Sequence, residues 1–244
     1  MEKLAYDKTF EFEEDYWWFV GRRKIVFNEL KKITKRLANA VLVDVGCGTG
    51  ITLELATGFS KEIGIDFSEE ALRYARTRNC GELVCGDIYK LPVADNAADC
   101  ILMMDVLEHL DDEARALGEA LRICKSGGWI ILTVPAYQFL WGGEDEISMH
   151  KRRYTKARLF EAVRNSGWQI ERISYFNTIL FPIICSILFF NKLFCPRARH
   201  ESNLKELSAV VNIALTKIFL FEARLLKKIN FLFGASLICV AKKR

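Results

Sequence analysis

Short apolar runs alternate with amphipathic stretches between residues 40 and 135, and the change of period marks the elements. Ala40–Val45, Glu62–Asp66, Leu83–Cys85, Cys100–Met104 and Trp129–Val134 are too short and too apolar for surface helices and read as buried strands. Ile51–Thr57, Glu69–Arg78 and Asp111–Cys124 read as helices. Ser68 caps the second of these, which carries acids early and arginines late; Gly127-Gly128 ends the third. Strands alternating with helices predict a parallel sheet covered on both faces, with ligands bound beyond the carboxyl ends of the strands.

The flanks follow other patterns. Residues 10–39 read as helical, opening on Tyr16, Trp17, Trp18 and Phe19, followed by Arg22, Arg23 and Lys24. Beyond Pro135, residues 136–150 read as loop, with Gly142-Gly143, Glu144, Asp145, Glu146 and His150. Thr155 then opens a helix ending near Asn165. Gln169–Phe176 and Ala235–Ala241 read as further strands, separated by an apolar and basic insertion, 177–234.

Two segments of that insertion concern membranes. Ile173 to Asn191 is a run of 19 residues without charge, close to the ~20 that span a bilayer. Asn177, Thr178, Pro182 and Ser186 interrupt it and its first residues read as sheet, so a spanning helix is not expected. Residues 204–228 carry Leu207, Val211, Ala214, Leu215, Ile218 and Leu225 at helical spacing, with Lys205, Lys217, Arg224, Lys227 and Lys228 elsewhere. That pattern suits an interfacial helix, a cap over the core or a dimer interface equally.

Composition narrows the class. The chain has 244 residues, of which 51% are hydrophobic, so one large domain with a real core is expected and disorder is not. Its eight cysteines form no C-x-x-C pair and most lie in apolar runs, as in a reducing compartment. The amino terminus has no signal-peptide core, so a cytoplasmic protein is expected. The net charge of +4 hides an asymmetry: residues 150–244 hold 18 Lys/Arg against 5 Asp/Glu, and residues 1–149 hold 17 against 26. The basic part is either a solvated surface or a face for anionic lipid or a phosphate-bearing substrate. Its cations are interleaved with aliphatic runs rather than aromatic stripes, which disfavours nucleic acid.

The chemistry gathers at strand ends. Val43-Asp44-Val45-Gly46-Cys47-Gly48-Thr49-Gly50 is a strand entering a glycine turn, where bare backbone and amides can face a ligand. The G-x-G-x-G spacing differs from the G-x-G-x-x-G of nicotinamide folds and disfavours an oxidoreductase. Asp66 ends the second strand, 20 residues after Gly46, where a carboxylate can accept both hydroxyls of a ribose. Asp87 and Ile88 follow the third strand and suit a base, the acid for an exocyclic amine and the aliphatic for packing. Asp105 follows the fourth strand beside the cradle, and Asp44 precedes the turn, placed to fix it or to meet an ammonium.

These runs, with Gly64-Ile65-Asp66, Gly86-Asp87-Ile88, Leu91-Pro92, Asp105-Val106-Leu107-Glu108-His109 and Lys125-Ser126-Gly127-Gly128, resemble the class I S-adenosylmethionine-dependent methyltransferases across residues 40–135. The ends resemble, less specifically, methyltransferases encoded beside glycosyltransferases, through Trp17-Trp18-Phe19, Arg22-Arg23 and a widened His150-Lys151-Arg152-Arg153-Tyr154. The resemblance implies an α/β, Rossmann-like, doubly wound seven-stranded sheet, mostly parallel with a C-terminal antiparallel hairpin. One domain follows: a helical cap (1–39), a cofactor core (40–135), a substrate-side segment (136–176), a helical insertion within the hairpin (177–234) and a last strand (235–244).

It also implies roles toward S-adenosylmethionine. Gly46, Cys47, Gly48 and Gly50 would pack on the cofactor, Asp44 would hold its amino group and Asp66 its ribose. Phe67, Asp87 and Ile88 would take the adenine, Asp105 and Val106 would line the sulfonium pocket, and Arg22 would approach the carboxylate. His150 is the preferred general base and His109 the second candidate. His200 lies in the charged insertion and is set aside. Some quinone O-methyltransferases of this fold place acids and a histidine after the fourth strand near a divalent ion. Glu108 and His109 are adjacent on one turn and are expected to face apart, so no metal is expected here.

The function expected is methyl transfer, O-directed, to a small hydrophobic or lipid-linked acceptor, by a protein peripheral at the inner membrane face. A scaffold or membrane-docking protein that keeps the fold without catalysis is the alternative.

Overall fold

Seven strands form one sheet in the computed structural model: β1 (Val41–Val45), β2 (Lys61–Asp66), β3 (Glu82–Cys85), β4 (Ala98–Met104), β5 (Cys124–Pro135), β6 (Gln169–Phe176) and β7 (Ser236–Lys242). Their order is β3-β2-β1-β4-β5-β7-β6. The first five pair in parallel, and β7 runs antiparallel between β5 and β6. The structure describes residues 3–35, 37, 39–78, 80–194, 204 and 206–244; Cys195, His200 and Lys205 fall outside them.

The helices are α1 (Lys3–Phe12), α2 (Trp17–Thr34), α3 (Ile51–Leu55), α4 (Glu69–Thr77), α5 (Glu113–Ile123), α6 (Gly143–Ile147), α7 (Lys156–Asn165), α8 (Phe181–Phe194) and α9 (Ala209–Leu225). Sequence punctuation sets several ends. The Ser68, Asp112 and Thr155 side chains each accept an amide of the first turn of α4, α5 and α7. Two apolar layers flank the sheet. One packs α5 and α7 side chains such as Leu117, Leu159 and Val163 on one face, and the other packs α2, α4 and α9 side chains on the opposite face.

Four expectations need correction. The helix expected over 10–39 is two helices broken at Glu13–Tyr16, because the buried Arg23 guanidinium takes the carbonyls of Glu13 and Glu14 out of the helical ladder. The fifth strand starts at Cys124 rather than Trp129. Gly127 bonds to the Lys243 carbonyl and Lys243 to the Gly128 carbonyl, so the chain end draws the glycine pair into the sheet. The expected loop 136–150 holds a 3-10 turn at Gln138–Leu140 and α6, whose start is held by the Gly142 amide donating to Asp145 at 2.8 Å.

The helix expected over 204–228 buries a different stripe. Phe219, Ala223 and Leu226 face the core, while Val211 is 45% exposed. Trp17 and Trp18 of α2 and Phe176 of β6 surround Phe219. Glu222 is buried with them because its carboxylate accepts the Thr178 and Ile179 amides, each at 2.8 Å. The tryptophans thus dock the cap on the insertion. Among the described residues, no helix is long and apolar enough to cross a membrane; Ile173–Phe176 belong to β6 and α8 has 14 residues.

The α2–α9 contact depends on Gly21, where an added Cβ would lie 2.1 Å from the Phe219 ring. Gly21→Ala is expected to lower stability by about 1–3 kcal/mol, the usual cost of overpacking. The lowered urea midpoint measures it, and an unchanged midpoint would mean that the two helices are not locked together.

Candidate active site

β1 is flanked by β2 on one side and β4 on the other, so its carboxyl end opens into the crevice where the direction of winding reverses. The chain leaves β1 through Gly46, Gly48 and Gly50, all with positive φ (77°, 55° and 85°). The Gly46 and Cys47 amides cross to the Ile65 carbonyl, which anchors the turn to β2. A Cβ on Gly46 would lie 2.6 Å from Val106, whereas one on Gly48 meets nothing within 4 Å. The first glycine lets the turn close on the chain after β4, and the second leaves bare backbone facing open space.

Asp66 clamps the turn. Its carboxylate accepts the Gly48 and Ser68 amides, each at 2.9 Å, and each oxygen keeps a further lone pair for a ligand. Burial raises its pKa, against those same amides. Phe67 follows it, 73% exposed at the rim. Asp87 is exposed and bonds the Tyr89 amide at 2.9 Å, so a turn at the end of β3 presents it, with Ile88 packed inward.

Asp44 is 2% exposed. Burial raises its carboxyl to about 7; Arg22 pulls the other way and Asp66 adds to the rise. Asp105 has a left-handed backbone, φ 53°, a conformation that non-glycine residues adopt at a cost. Its amide and side chain are both tied to Thr133 on β5, at 2.9 and 3.0 Å, and its second oxygen pairs with Arg22 of α2. The Arg22 Nε is buried and lacks an acceptor.

The cap closes over this crevice. Tyr6 of α1 is 4% exposed and lies beside Ser68, Asp66 and Cys47. Glu13 accepts from Thr49 in the glycine turn at 2.5 Å and from Arg78 at 2.8 Å. Sequence reasoning missed Tyr6, Glu13 and Arg78. They carry no motif, and only the packing of α1 on α4 brings them to the turn.

A second cluster adjoins Asp105. The 3-10 turn Leu107–His109 follows it, and the Lys151 amide donates to the Glu108 carbonyl at 2.8 Å, which draws the loop after β5 against this turn. The rings of His109 and His150 lie 4.7 Å apart, edge to face. Ligand atoms of Glu108, His109 and His150 lie within 4.8 Å of one another. The expectation that Glu108 and His109 face apart is therefore corrected: they occupy a 3-10 turn, and both side chains bring a ligand atom near His150. Both Glu108 oxygens are buried without a hydrogen-bond partner. Burial, with Asp105 next, pushes that carboxyl well above the usual range.

The histidines differ. Burial, then His150, lowers the His109 pKa to about 4, so its ring is neutral near pH 7. The His150 Nδ1 is 2.8 Å from Asp145, whose carboxylate also binds Arg153 through both oxygens at 2.7 and 2.8 Å. Burial opposes ionisation of Asp145, but the bonds from His150 and Arg153 outweigh it and hold it below its ordinary value. Asp145 was visible only as one of three acids in a presumed loop.

Residues 43–132 match the family model described as a methyltransferase domain. Those residues form a class I S-adenosylmethionine-dependent methyltransferase domain. The chain is 27% identical over 163 residues to a Mycolicibacterium smegmatis protein named probable S-adenosylmethionine-dependent methyltransferase, covering 65% of this chain and 62% of that one. It is 30% identical over 131 residues to a ubiquinone biosynthesis O-methyltransferase of Thiobacillus denitrificans, covering 48% and 56%. The chain spans less than two thirds of the length of these curated relatives. A solved S-adenosylmethionine-dependent methyltransferase of Thermotoga maritima shares the fold over the full length of both chains, with a TM-score of 0.61 at 21% identity. The family replaces the nicotinamide alternative, and its cofactor is S-adenosylmethionine.

The crevice suits that amphoteric cofactor on its own terms. The orphan Arg22 Nε lacks an acceptor such as a carboxylate, Asp44 and Asp105 offer carboxylates to cations, and the Gly48 backbone is open. Asp44 also gives a pH test. Its folded pKa of about 7 lies above the ordinary 3.8, so between those values the folded chain holds a proton that the unfolded chain has released. Its contribution to stability is complete below the unfolded pKa and is lost as pH rises through the folded one. Asp44→Asn is expected to flatten the stability profile between about pH 4 and pH 7, removing a slope of at most ~1.4 kcal/mol per pH unit. Urea midpoints at the two ends measure it, and an unaltered slope would place the titration elsewhere.

Proposed function

We propose that this chain is an S-adenosylmethionine-dependent methyltransferase that methylates an oxygen of a small hydrophobic or lipid-linked acceptor, in the cytoplasm at an anionic membrane surface. The cofactor supplies an electrophilic methyl group and its own neutral leaving group. The protein must align the nucleophile, exclude water and take the proton. The observation that carries the O-directed reading is the Asp145–His150 pair beside Asp105, at the carboxyl end of the strands that hold the cradle.

His150 is the proposed base. With Nδ1 engaged by Asp145, Nε2 is the nitrogen left to accept a hydroxyl proton, and Asp145 steadies the imidazolium that forms. His109, with a pKa of about 4, is a poor proton acceptor near neutral pH and lines the site beside it. Arg22, Asp44, Asp66, Phe67, Asp87, Ile88, Asp105 and Val106, with the glycine turn, are the proposed cofactor contacts. The acceptor class is supported by the ubiquinone biosynthesis O-methyltransferase relative and by the apolar surface of the insertion. The charge asymmetry supports the anionic surface. Turnover with a labelled methyl donor and fractionated extracts separates this reading from a non-catalytic scaffold, which would transfer no label. His150→Ala is expected to lower turnover by about 100-fold or more while S-adenosylhomocysteine still binds by calorimetry; unchanged turnover would remove His150 from the mechanism.

One observation favours a second reading, in which Glu108, His109 and His150 share a divalent cation. Both buried Glu108 oxygens lack a donor, and two imidazoles with one carboxylate suit a first-row metal. The ligand atoms, within 4.8 Å of one another, would close by roughly 1 Å to reach metal–ligand bonds of about 2.0–2.2 Å. Under this reading, dialysis against a strong chelator abolishes turnover and zinc restores it. Turnover that survives the chelator leaves His150 as a base.

A further inference from the structure

α8 lies on the protein surface, and none of its described side chains is charged. Phe181, Ile184, Cys185 and Leu188 recur at helical spacing and are half-buried. On the other side Ile183, Ile187, Phe190 and Phe194 recur at the same spacing and are 55–63% exposed, with Phe189 at 70%. A solvated helix carries charges on that side. The apolar surface continues beyond the helix. The Phe181 ring meets Phe233 at 5.7 Å, and Ile229, Leu232 and Phe233 before β7 are exposed. A contiguous apolar surface of this kind marks an interaction site.

Charge selects the occupant. The insertion 177–234 holds eight Lys/Arg and three Asp/Glu, and one of the acids, Glu222, is buried. Lys227 and Lys228 are exposed and lead directly into Ile229. An apolar face edged by lysines complements an anionic bilayer. α8 has 14 residues, about 21 Å at 1.5 Å per residue against a hydrocarbon core of ~30 Å, so it would lie along the surface rather than cross it.

Beneath α8 runs a cavity of about 440 Å³ lined by Phe139, Leu140, Cys185, Ser186, Leu188 and Phe189. Leu188 closes on Gly142, where an added Cβ would stand 3.2 Å from it. The Gly142 amide donates to Asp145, and Asp145 holds His150. The apolar groove therefore lies against the turn whose Gly142 and Asp145 hold the residue proposed to take the proton.

We propose that the outer face of α8, with Ile229, Leu232 and Phe233, docks this protein on an anionic bilayer, so that the groove beneath α8 opens toward hydrocarbon and admits the chain of the acceptor. The docking face stands independently; its use for the acceptor rests on the methyltransferase reading above.

Flotation with vesicles of phosphatidylcholine alone, or with added phosphatidylglycerol, tests the docking at low salt. Three proteins are compared: the wild type, Ile187→Asp with Phe190→Asp, and Lys227→Glu with Lys228→Glu. S-adenosylhomocysteine calorimetry on each shows that the core is intact. The wild type is expected to float with the anionic vesicles, and each double variant to lose about tenfold or more of that binding with its calorimetric heat unchanged. Wild-type protein left at the bottom overturns the proposal. So does an apolar double variant that floats as well as the wild type. A dimer that the same variant dissociates, with no flotation, overturns it by assigning the face to a second copy. Flotation with no S-adenosylhomocysteine heat supports the docking and removes the methyltransferase reading instead.

Discussion

Parallel pairing of β1 with both β2 and β4 is the constraint on which the candidate site depends. It brings three strand ends together, each carrying an acid at or near its carboxyl edge: Asp44, Asp66 and Asp105. The glycine turn then has one geometry open to it, because its amides must cross to Ile65 and its second glycine must meet the Asp66 carboxylate. Asp105 accepts a left-handed backbone at the end of β4, where the pairing with β5 holds it by two bonds to Thr133. A site built on strand ends gains precision from the ladder beneath it.

Burial sets the electrostatics of this crevice more than pairing does. Asp44, Asp66 and Glu108 are all pushed toward the protonated form by desolvation, and His109 toward the neutral form. Arg22 reaches in from the cap and pairs with Asp105, yet keeps an unsatisfied Nε. Asp145 is the exception, since its bonds to His150 and Arg153 outweigh its burial. A zwitterionic or sulfonium-bearing ligand would supply the charges that this arrangement lacks, while the Asp145–His150 pair needs nothing further to orient its imidazole.

The insertion ties cap and sheet into one body. Gly21, Trp17 and Trp18 on α2 receive Phe219 of α9, and Glu222 takes two amides at the start of the α8 segment. The aromatic start of the chain is thereby spent on packing, and the outer face of α8, with Ile229, Leu232 and Phe233, is left outward.

The strand cores, the Ser68 and Thr155 caps and the glycine turn were legible in the sequence because each depends on neighbours a few residues away: period, capping chemistry and backbone freedom. So was the order of acids at the strand ends, since a parallel sheet presents all those ends on one side. The break at Glu13–Tyr16, the early start of β5 and the buried stripe of α9 were not legible. The last two are decided by partners far along the chain, Lys243 and the Trp17–Trp18 pair, and the first by Arg23, a cation nine and ten residues on, whose burial no local pattern signals. The sequence by itself determined the sheet, the cradle and the family. Only the tertiary structure decided that Glu108, His109, Asp145 and His150 form one cluster and that α1 closes over the crevice, because side-chain convergence across loops depends on packing that no local pattern encodes.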